Sequence, residues 1–229
     1  MPLTLITNKH LLPIYDRPMI MYPLDTLKRS RIDQIMIVCG KEHGGHFMNF
    51  LGSGKDYGVR LSYALQHGSG GIAEALSLAK DFVNGDTVAV ILGDNIFEND
   101  FSKSVERFDA GISKGAMVFL KQVSDPERFG VVEIFNGKIK SIIEKPKEPK
   151  SDLATVGFYI YDQTVFEKIG RLKPSARNEL EITDVHNIYI QEDDLYYDRV
   201  EGYWSDAGTV KSLLETANWV ANQKKSAAS

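Results

Sequence analysis

The chain has 229 residues, of which 43% are hydrophobic, enough to build a sizeable core in one large domain or two small ones. A formal net charge of −4 and an isoelectric point of about 5.8 give no electrostatic reason to expect nucleic acid as a partner. Its single cysteine, Cys39, excludes an internal disulfide. With no membrane-length apolar stretch and no signal-peptide pattern, we expect a cytoplasmic protein without a membrane partner.

Short apolar runs alternate with helical patterns in the first half of the chain. The runs predict strands, and the 3.6-residue patterns between them predict helices. The predicted strands are 34–38, 59–64, 87–92 and 116–123, and the predicted helices are 43–51, 71–83 and 101–114. This alternation predicts a largely parallel sheet covered by helices on both faces.

The pattern changes after Pro126. An Asn-Gly turn predicts a hairpin of 131–135 and 138–144, and a further strand is predicted for 154–161. The remaining predictions are helices at 164–171, 181–191 and 210–222 and a frayed tail at 224–229. With no internal repeat or separating linker, we expect one domain, 1–229. It comprises a nucleotide-type α/β half (1–123), a β-rich half (124–209), and a C-terminal helix and tail (210–229).

Two carboxylates are candidates for a metal site. Asp94 follows the strongest predicted strand, at the sheet edge where α/β proteins bind ligands. Asp206 lies between an aromatic residue and a tight turn, shortly before a predicted helix. Either residue alone equally suits a turn or a helix cap. If the fold brings them together, they can hold Mg²⁺ at a phosphoryl- or nucleotidyl-transfer site.

A glycine-rich loop follows Gln66 and opens a predicted helix after Gly71. Free backbone N–H groups beside a side-chain amide suit an anion or the edge of a pyrimidine. A flexible surface loop fits the same residues equally well.

Three charged side chains admit two interpretations each. Lys145 can hold a phosphate and Glu144 can accept hydrogen bonds from sugar hydroxyls, but both also fit a solvated charged loop. Lys9 is flanked by apolar residues. Its ammonium either reaches a phosphate or extends along apolar surface into water.

Seven segments occur in an order that points to one enzyme family. They are Asn8-Lys9-His10-Leu11-Leu12-Pro13, Gln66 with Gly71-Ile72-Ala73-Glu74-Ala75, Leu92-Gly93-Asp94-Asn95, Arg128-Phe129-Gly130-Val131, Glu144-Lys145-Pro146, Pro174-Ser175-Ala176-Arg177 with Glu179-Leu180-Glu181-Ile182-Thr183-Asp184, and Trp204-Ser205-Asp206-Ala207-Gly208-Thr209. Each is weak alone, but together they closely resemble the short form of the glucose-1-phosphate thymidylyltransferase family over nearly the whole chain. The resemblance implies an α/β nucleotide-diphospho-sugar transferase fold, a Rossmann-like mixed sheet flanked by helices with a β-rich sugar-binding half.

The resemblance also implies the reaction. dTTP and glucose 1-phosphate would give dTDP-glucose, a precursor in dTDP-rhamnose biosynthesis, and pyrophosphate, by in-line attack on the α-phosphorus. Carried over by motif, Asp94 and Asp206 would hold Mg²⁺ against the nucleotide phosphates, Lys9 would reach phosphate oxygens, and Lys145 would hold the sugar phosphate. These four are the expected catalytic residues, and a homo-oligomer is expected.

The same resemblance assigns the binding residues. Gln66 and Gly71 would read the thymine, Glu144 would bind the sugar hydroxyls, and Gly130 and Val156 would line the sugar pocket. The family usually has threonine where Val156 stands. It also commonly has glycine at Asn178 and threonine at Ala207, so fine specificity is open. UTP in place of dTTP is the leading alternative.

The largest departure lies at the start of the chain. The family begins with an apolar strand and a G-G-x-G-T-R-L loop before the Pro2-Leu3-Thr4 seen here. One hypothesis is an active nucleotidyltransferase whose recorded chain lacks its beginning. The other is a non-catalytic or impaired homologue that binds sugar phosphate or nucleotide. The retained Lys9 and Asp94 favour the first, and we expect poor turnover from the chain as written.

Overall fold

The computed structural model describes residues 7–112 and 114–227. The strands are β1 (Pro13–Ile14), β2 (Arg17–Pro18), β3 (Gln34–Gly40), β4 (Arg60–Gln66), β5 (Val88–Ile91), β6 (Asn95–Phe97), β7 (Ala116–Gln122), β8 (Gly130–Phe135), β9 (Lys138–Glu144), β10 (Leu153–Tyr161), β11 (Leu195–Arg199) and β12 (Trp204–Asp206). The helices are α1 (Met21–Arg29), α2 (Gly44–Leu51), α3 (Ile72–Ser77), α4 (Lys80–Val83), α5 (Ser102–Arg107), α6 (Val165–Ile169), α7 (Ile182–Gln191) and α8 (Val210–Ala227).

β10 organises the largest sheet, which has six strands in the order β11-β7-β10-β8-β9, with β5 also on β10. It runs antiparallel to β5, β7 and β8, whereas β11 is parallel to β7. β3 and β4 form a separate parallel pair, and β6 pairs with β12. A mixed sheet is therefore confirmed. The expectation of a largely parallel sheet is wrong, because β10 returns antiparallel between strands of the first half.

Alternation along β7 and β10 sends side chains into a core on each face of the sheet. Phe119 and Phe158 pack on one face with residues of α1, α2 and β3. Val118 and Tyr159 pack on the other face with residues of α3, α6 and α7. The sheet is thus covered on both faces, as predicted. Each fully buried side chain of this size contributes about 1.5–3 kcal/mol to folding.

Several element boundaries differ from the predictions. The helix predicted at 71–83 is two helices, α3 and α4, because Leu78 and Ala79 donate to carbonyls only three residues back. The helix predicted at 101–114 leaves α-helical geometry after Arg107, and Phe108–Ile112 forms a π turn. Residue 113 lies outside the described residues. β6, β11 and β12 were not predicted, since each has five residues or fewer. α1 was not predicted either, although its buried residues Tyr22, Leu24, Thr26 and Leu27 lie at helical spacing.

The predicted tail is also different. α8 continues to Ala227, so fraying from residue 224 is wrong for the described part. Val220 is buried on that helix, and Lys224 forms an ion pair with Asp16, which anchors the last turns. The Pro2-Leu3-Thr4 segment and residues 228–229 lie outside the described residues. In the described chain, no helix is both long enough and apolar enough to span a bilayer.

Candidate active site

The pairing of β6 with β12 brings the two candidate metal ligands together. Asp94 directly precedes β6, and Asp206 ends β12 opposite Asn95. The Ala207 amide donates to the Asp94 carbonyl at 2.9 Å. Both carboxylates approach Gly208: a Cβ built there would lie 2.7 Å from Asp206 Oδ1 and 3.3 Å from Asp94 Oδ2. Glycine at this position keeps the space between the two acids open.

Two cations flank the acids. Lys9 Nζ lies 2.5 Å from Asp94 Oδ2, and Arg128 Nη2 lies 3.2 Å from Asp206 Oδ2. Burial acts to raise the pKa of Asp94, but the Lys9 ammonium outweighs it and the pKa falls below its usual value. Burial and the neighbouring Asp94 charge raise the pKa of Asp206, despite Arg128. The lowered pKa shows that the Asp94 charge is stabilised, and the raised pKa shows that a second negative charge, on Asp206, is disfavoured beside it.

The donor set fits a magnesium ion. Mg²⁺ is usually held by one or two carboxylates, with phosphate oxygens and waters as its other ligands. Asp94 and Asp206 supply two carboxylates. Among the described residues, no group of three or more His, Cys, Asp or Glu side chains is placed so that it could hold a metal ion. A site of this kind leaves most coordination positions to a phosphate-bearing substrate.

Asn95 fixes the orientation of the Asp94 carboxylate, a role that no pattern in the sequence predicts. Its side chain is 3% exposed. Nδ2 donates to Asp94 Oδ1 at 3.0 Å, and Oδ1 accepts from the Gly157 amide at 3.0 Å and from Trp204 Nε1 at 2.8 Å. A buried amide with these partners is held in one rotamer. Asp94 is thereby connected to β10 and β12.

The glycine-rich loop is anchored to the chain near α7. Gly71 has φ +93°, and a Cβ there would lie 2.5 Å from the Leu180 carbonyl oxygen. Only glycine fits this conformation and this contact. The Leu180 amide donates to the Gly70 carbonyl at 2.7 Å, and Gln66 stands at the end of β4 opposite Gly40. The loop beside Gln66 therefore has a defined shape.

Glu144 and Lys145 follow one another at the end of β9. Glu144 accepts from Thr183 Oγ1 at 2.6 Å and from Arg177 Nη2 at 3.3 Å. Lys145 has φ +43°, unusual for a non-glycine residue, and its amide donates to the Phe129 carbonyl at 2.9 Å. Lys145 Nζ lies 3.5 Å from Glu144 Oε1, so the charged ends of these consecutive residues lie together. Arg177, Thr183 and Phe129 belong to the quoted motifs but received no individual role from the sequence.

Gly130 faces Thr155 and not the neighbouring Val156. A Cβ at Gly130 would lie 2.8 Å from Thr155 Oγ1 and 3.4 Å from Thr183 Oγ1. Val156 is 1% exposed and belongs to the opposite core, with Phe158. Successive strand residues point to opposite faces, so the hydroxyl next to the predicted position lies on the Gly130 side.

A cavity of about 1330 Å³ connects most of the predicted residues. Its lining includes Lys9, Gln66, Gly71, Asp94, Arg128, Lys145 and Asp206. Glu144 and Gly130 do not line it but adjoin it through Lys145 and Arg128. The cavity also extends between β3 and β5; within the described chain, β3 pairs only with β4, and β5 only with β10.

Comparison with known proteins identifies the class. A model of the nucleotidyl transferase family matches residues 1–223. The chain therefore belongs to the nucleotidyl transferase family.

Individual relatives narrow the comparison. A glucose-1-phosphate thymidylyltransferase from Neisseria meningitidis is 43% identical over 96% of this chain and 77% of its own length. A Bacillus anthracis protein assigned as a glucose-1-phosphate thymidylyltransferase, solved with sucrose, superposes with a TM-score of 0.91 at 51% identity, covering 95% of this chain and 88% of its own. A UDP-glucose pyrophosphorylase bound to UDP-glucose shares the fold, with a TM-score of 0.78 at 24% identity, covering 94% and 90%. The resemblance inferred from the motifs is confirmed.

Proposed function

We propose that the chain transfers a thymidylyl group from dTTP to glucose 1-phosphate, releasing pyrophosphate. The observation that carries the proposal is the convergence of Asp94 and Asp206, flanked by Lys9 and Arg128, on one cavity. The names of the relatives, 43% and 51% identical to this chain, support the same reaction. The nucleotide would lie against residues of the first half, 1–123, and the sugar against those of 124–209.

The reaction needs positioning and charge neutralisation but no covalent enzyme intermediate. A phosphate oxygen of glucose 1-phosphate forms a bond to the α-phosphorus of dTTP while the bond from that phosphorus to the departing pyrophosphate oxygen breaks. Asp94 and Asp206 would hold Mg²⁺, which supplies charge neutralisation on the phosphates when bound. Lys9 and Arg128 can move from the carboxylates to phosphate oxygens, and Lys145 would hold the sugar phosphate in line.

The sugar site would lie along β8, β9 and β10. Glu144 is already held by Thr183 and Arg177, so its carboxylate is oriented to accept from sugar hydroxyls. Gly130 would contribute to this site through its backbone, because Thr155 Oγ1 already lies 2.8 Å from where a Cβ would stand. Since the Val156 side chain faces the core, we assign the sugar-facing side chain to Thr155 and leave to Val156 a contribution through its backbone.

The base would lie against Gln66 and Gly71. UTP is the second candidate nucleotide, because uracil and thymine present the same N3–H and carbonyl groups to a side-chain amide. A cytoplasmic location and a homo-oligomeric state complete the proposal; cell fractionation and light scattering test them.

Pyrophosphate release tests the reaction. Glucose 1-phosphate and Mg²⁺ are supplied with dTTP or UTP, and the rates are compared with those of Asp94→Asn and Lys145→Met. We expect dTTP-dependent release that both substitutions reduce by about 10²-fold or more. Nucleotide binding without any release, both in this chain and in the extended protein described next, would favour the non-catalytic homologue instead.

A second set of turnover measurements uses an extended protein, in which an apolar strand and a G-G-x-G-T-R-L loop are added before residue 2. Within residues 7–112 and 114–227, β3 pairs only with β4 and β5 only with β10, so the other edge of each strand carries backbone groups with which a further strand could pair. We expect turnover to rise in the extended protein. Equal rates with and without the added segment would contradict that expectation.

A further inference from the structure

A carboxylate supports the amide that we place against the base. Glu74 lies on α3, and its Oε2 accepts from Gln66 Nε2 at 2.6 Å. The same nitrogen donates to the Gly71 carbonyl at 3.2 Å. Gln66 and Gly71 line the cavity, whereas Glu74 does not. Glu74 can therefore act on a ligand in the cavity only through Gln66.

The chemistry of these partners fixes which way the amide points. An ionised carboxylate and a backbone carbonyl can only accept hydrogen bonds. Both must therefore face the NH₂ group of Gln66, and both of its hydrogens are used. Turning the amide over would set Oε1 against two acceptors, an arrangement with no hydrogen bond at all. Within 7–112 and 114–227, no residue donates to Gln66 Oε1, so this carbonyl is available to a ligand.

The backbone beside the Gln66 amide has little freedom. Gly71 has a positive φ and packs against the Leu180 backbone, and the Leu180 amide donates to the Gly70 carbonyl. The Glu74 carboxylate occupies the space beside Gly70 that a side chain there would take, since an added Cβ would come 2.0 Å from Oε2 and 2.8 Å from Oε1. Glycine at position 70 therefore leaves room for the Glu74 carboxylate next to Gln66.

We propose that Glu74 is a positioning residue that makes Gln66 present only its carbonyl oxygen to the base. A carbonyl acceptor selects a pyrimidine with a hydrogen on N3, as in thymine and uracil. It disfavours cytosine, whose N3 carries a lone pair. The inference rests on the proposed function and adds to it a determinant of base selection that does not touch the nucleotide.

Equilibrium titration with dTTP and dCTP, in the presence of Mg²⁺ and without sugar phosphate, tests the proposal. A site built around one hydrogen bond rejects a ligand that cannot make it, so we expect about 100-fold preference for dTTP in the parent protein. Glu74→Gln keeps the shape but adds a donor that lets the Gln66 amide turn. We expect it to lower the preference about 10-fold, with Glu74→Ala lowering it similarly.

Asp81→Asn is the control, because it removes an exposed carboxylate on α4, which follows α3. It should leave the dTTP preference unchanged. A purely structural role for Glu74 would lower the melting temperature without changing the preference. An unchanged preference in folded Glu74→Gln and Glu74→Ala would overturn the proposal while leaving the proposed function intact. Failure of the parent protein to bind either triphosphate would overturn both.

Discussion

Replacing Lys9 with methionine removes the ammonium from Asp94 while keeping an apolar side chain of similar length. In the parent protein these groups are 2.5 Å apart, with 12% of the Asp94 side chain and 42% of the Lys9 side chain exposed. The remaining neighbours of Asp94 are one hydrogen bond from Asn95, the neutral His10, whose pKa burial lowers to about 4, and the like charge of Asp206. The substitution therefore leaves a buried carboxylate without its cation.

Breaking a buried ion pair from one side typically costs about 3–5 kcal/mol. Because solvent screens the partly exposed lysine, we expect a smaller loss in the free energy of unfolding, about 2 kcal/mol at neutral pH.

The loss depends on pH in a predictable direction. In the parent protein the lowered pKa of Asp94 contributes stability above its usual value of 3.8, and that contribution disappears as pH falls through the lowered pKa. Without Lys9, burial and Asp206 raise the pKa of Asp94 instead. The penalty in the variant is then present at neutral pH and disappears as pH falls and the acid is protonated. The difference between the two proteins is largest near neutral pH and shrinks in acid.

Urea unfolding without divalent ions, at neutral pH and at about pH 4.5, measures this difference. Lys211→Met is the control: its ammonium is 3.9 Å from Glu215 and the side chain is 86% exposed, so we expect less than about 0.5 kcal/mol. Mg²⁺ should stabilise Lys9→Met more than the parent protein, since it replaces the missing cation. An equal loss at both pH values, or one no larger than that of Lys211→Met, would refute the reasoning.

Three further tests address other parts of the site. Asp206→Asn should be at least as stable as the parent protein without metal, because burial and Asp94 raise the pKa of Asp206. Mg²⁺ should no longer raise the melting temperature of this variant. An unchanged Mg²⁺ effect would remove Asp206 from the metal site. Gly71→Ala should lower the free energy of unfolding by about 2 kcal/mol or more and weaken nucleotide binding. Gly137 is also at positive φ but has no atom near an added Cβ. Gly137→Ala should therefore lower the free energy of unfolding by only about 1 kcal/mol and leave nucleotide binding unchanged. Thr155→Val should raise KM for glucose 1-phosphate with little loss of stability. Val156→Thr buries an extra hydroxyl in the core and should lower the free energy of unfolding by about 1–3 kcal/mol. The reverse pattern would return the sugar-facing role to the Val156 side chain.

The fold class could be predicted because it depends on local patterns. Alternating apolar runs and helical periods located β3, β4, β5 and β7 within a few residues. Strand direction could not be predicted in this way, since periodicity carries no information about which neighbour a strand pairs with. β10 looks like any buried strand in the sequence, yet it runs antiparallel to its neighbours and joins the two halves.

The site residues show the same contrast: local patterns locate single residues, but not the long-range contacts between them. The sequence placed Asp94 at a strand end and Asp206 shortly before a predicted helix. Their pairing came only from the family resemblance, because the β6–β12 pairing joins segments distant in the chain. Assigning Thr155 or Val156 to the sugar side requires the face of the strand, and one residue changes the face. Alternation places Val156 on the same face as Phe158, but it does not say which face of the strand meets the ligand. Glu74 and Asn95 act through hydrogen bonds to other side chains, which no pattern of residue types reports.

The hydrogen bond between Trp204 and Asn95 gives the protein an optical reporter of its own site. Trp204 and Trp219 are the only tryptophans in the sequence. Trp219 stacks on Tyr203 with ring centroids 4.0 Å apart, whereas the Trp204 indole N–H donates to the amide that holds Asp94. Any ligand that displaces the Asp94 carboxylate changes the polarity around the Trp204 indole and leaves Trp219 as an internal reference. Intrinsic fluorescence of the parent protein can thus follow events at the carboxylates without a label.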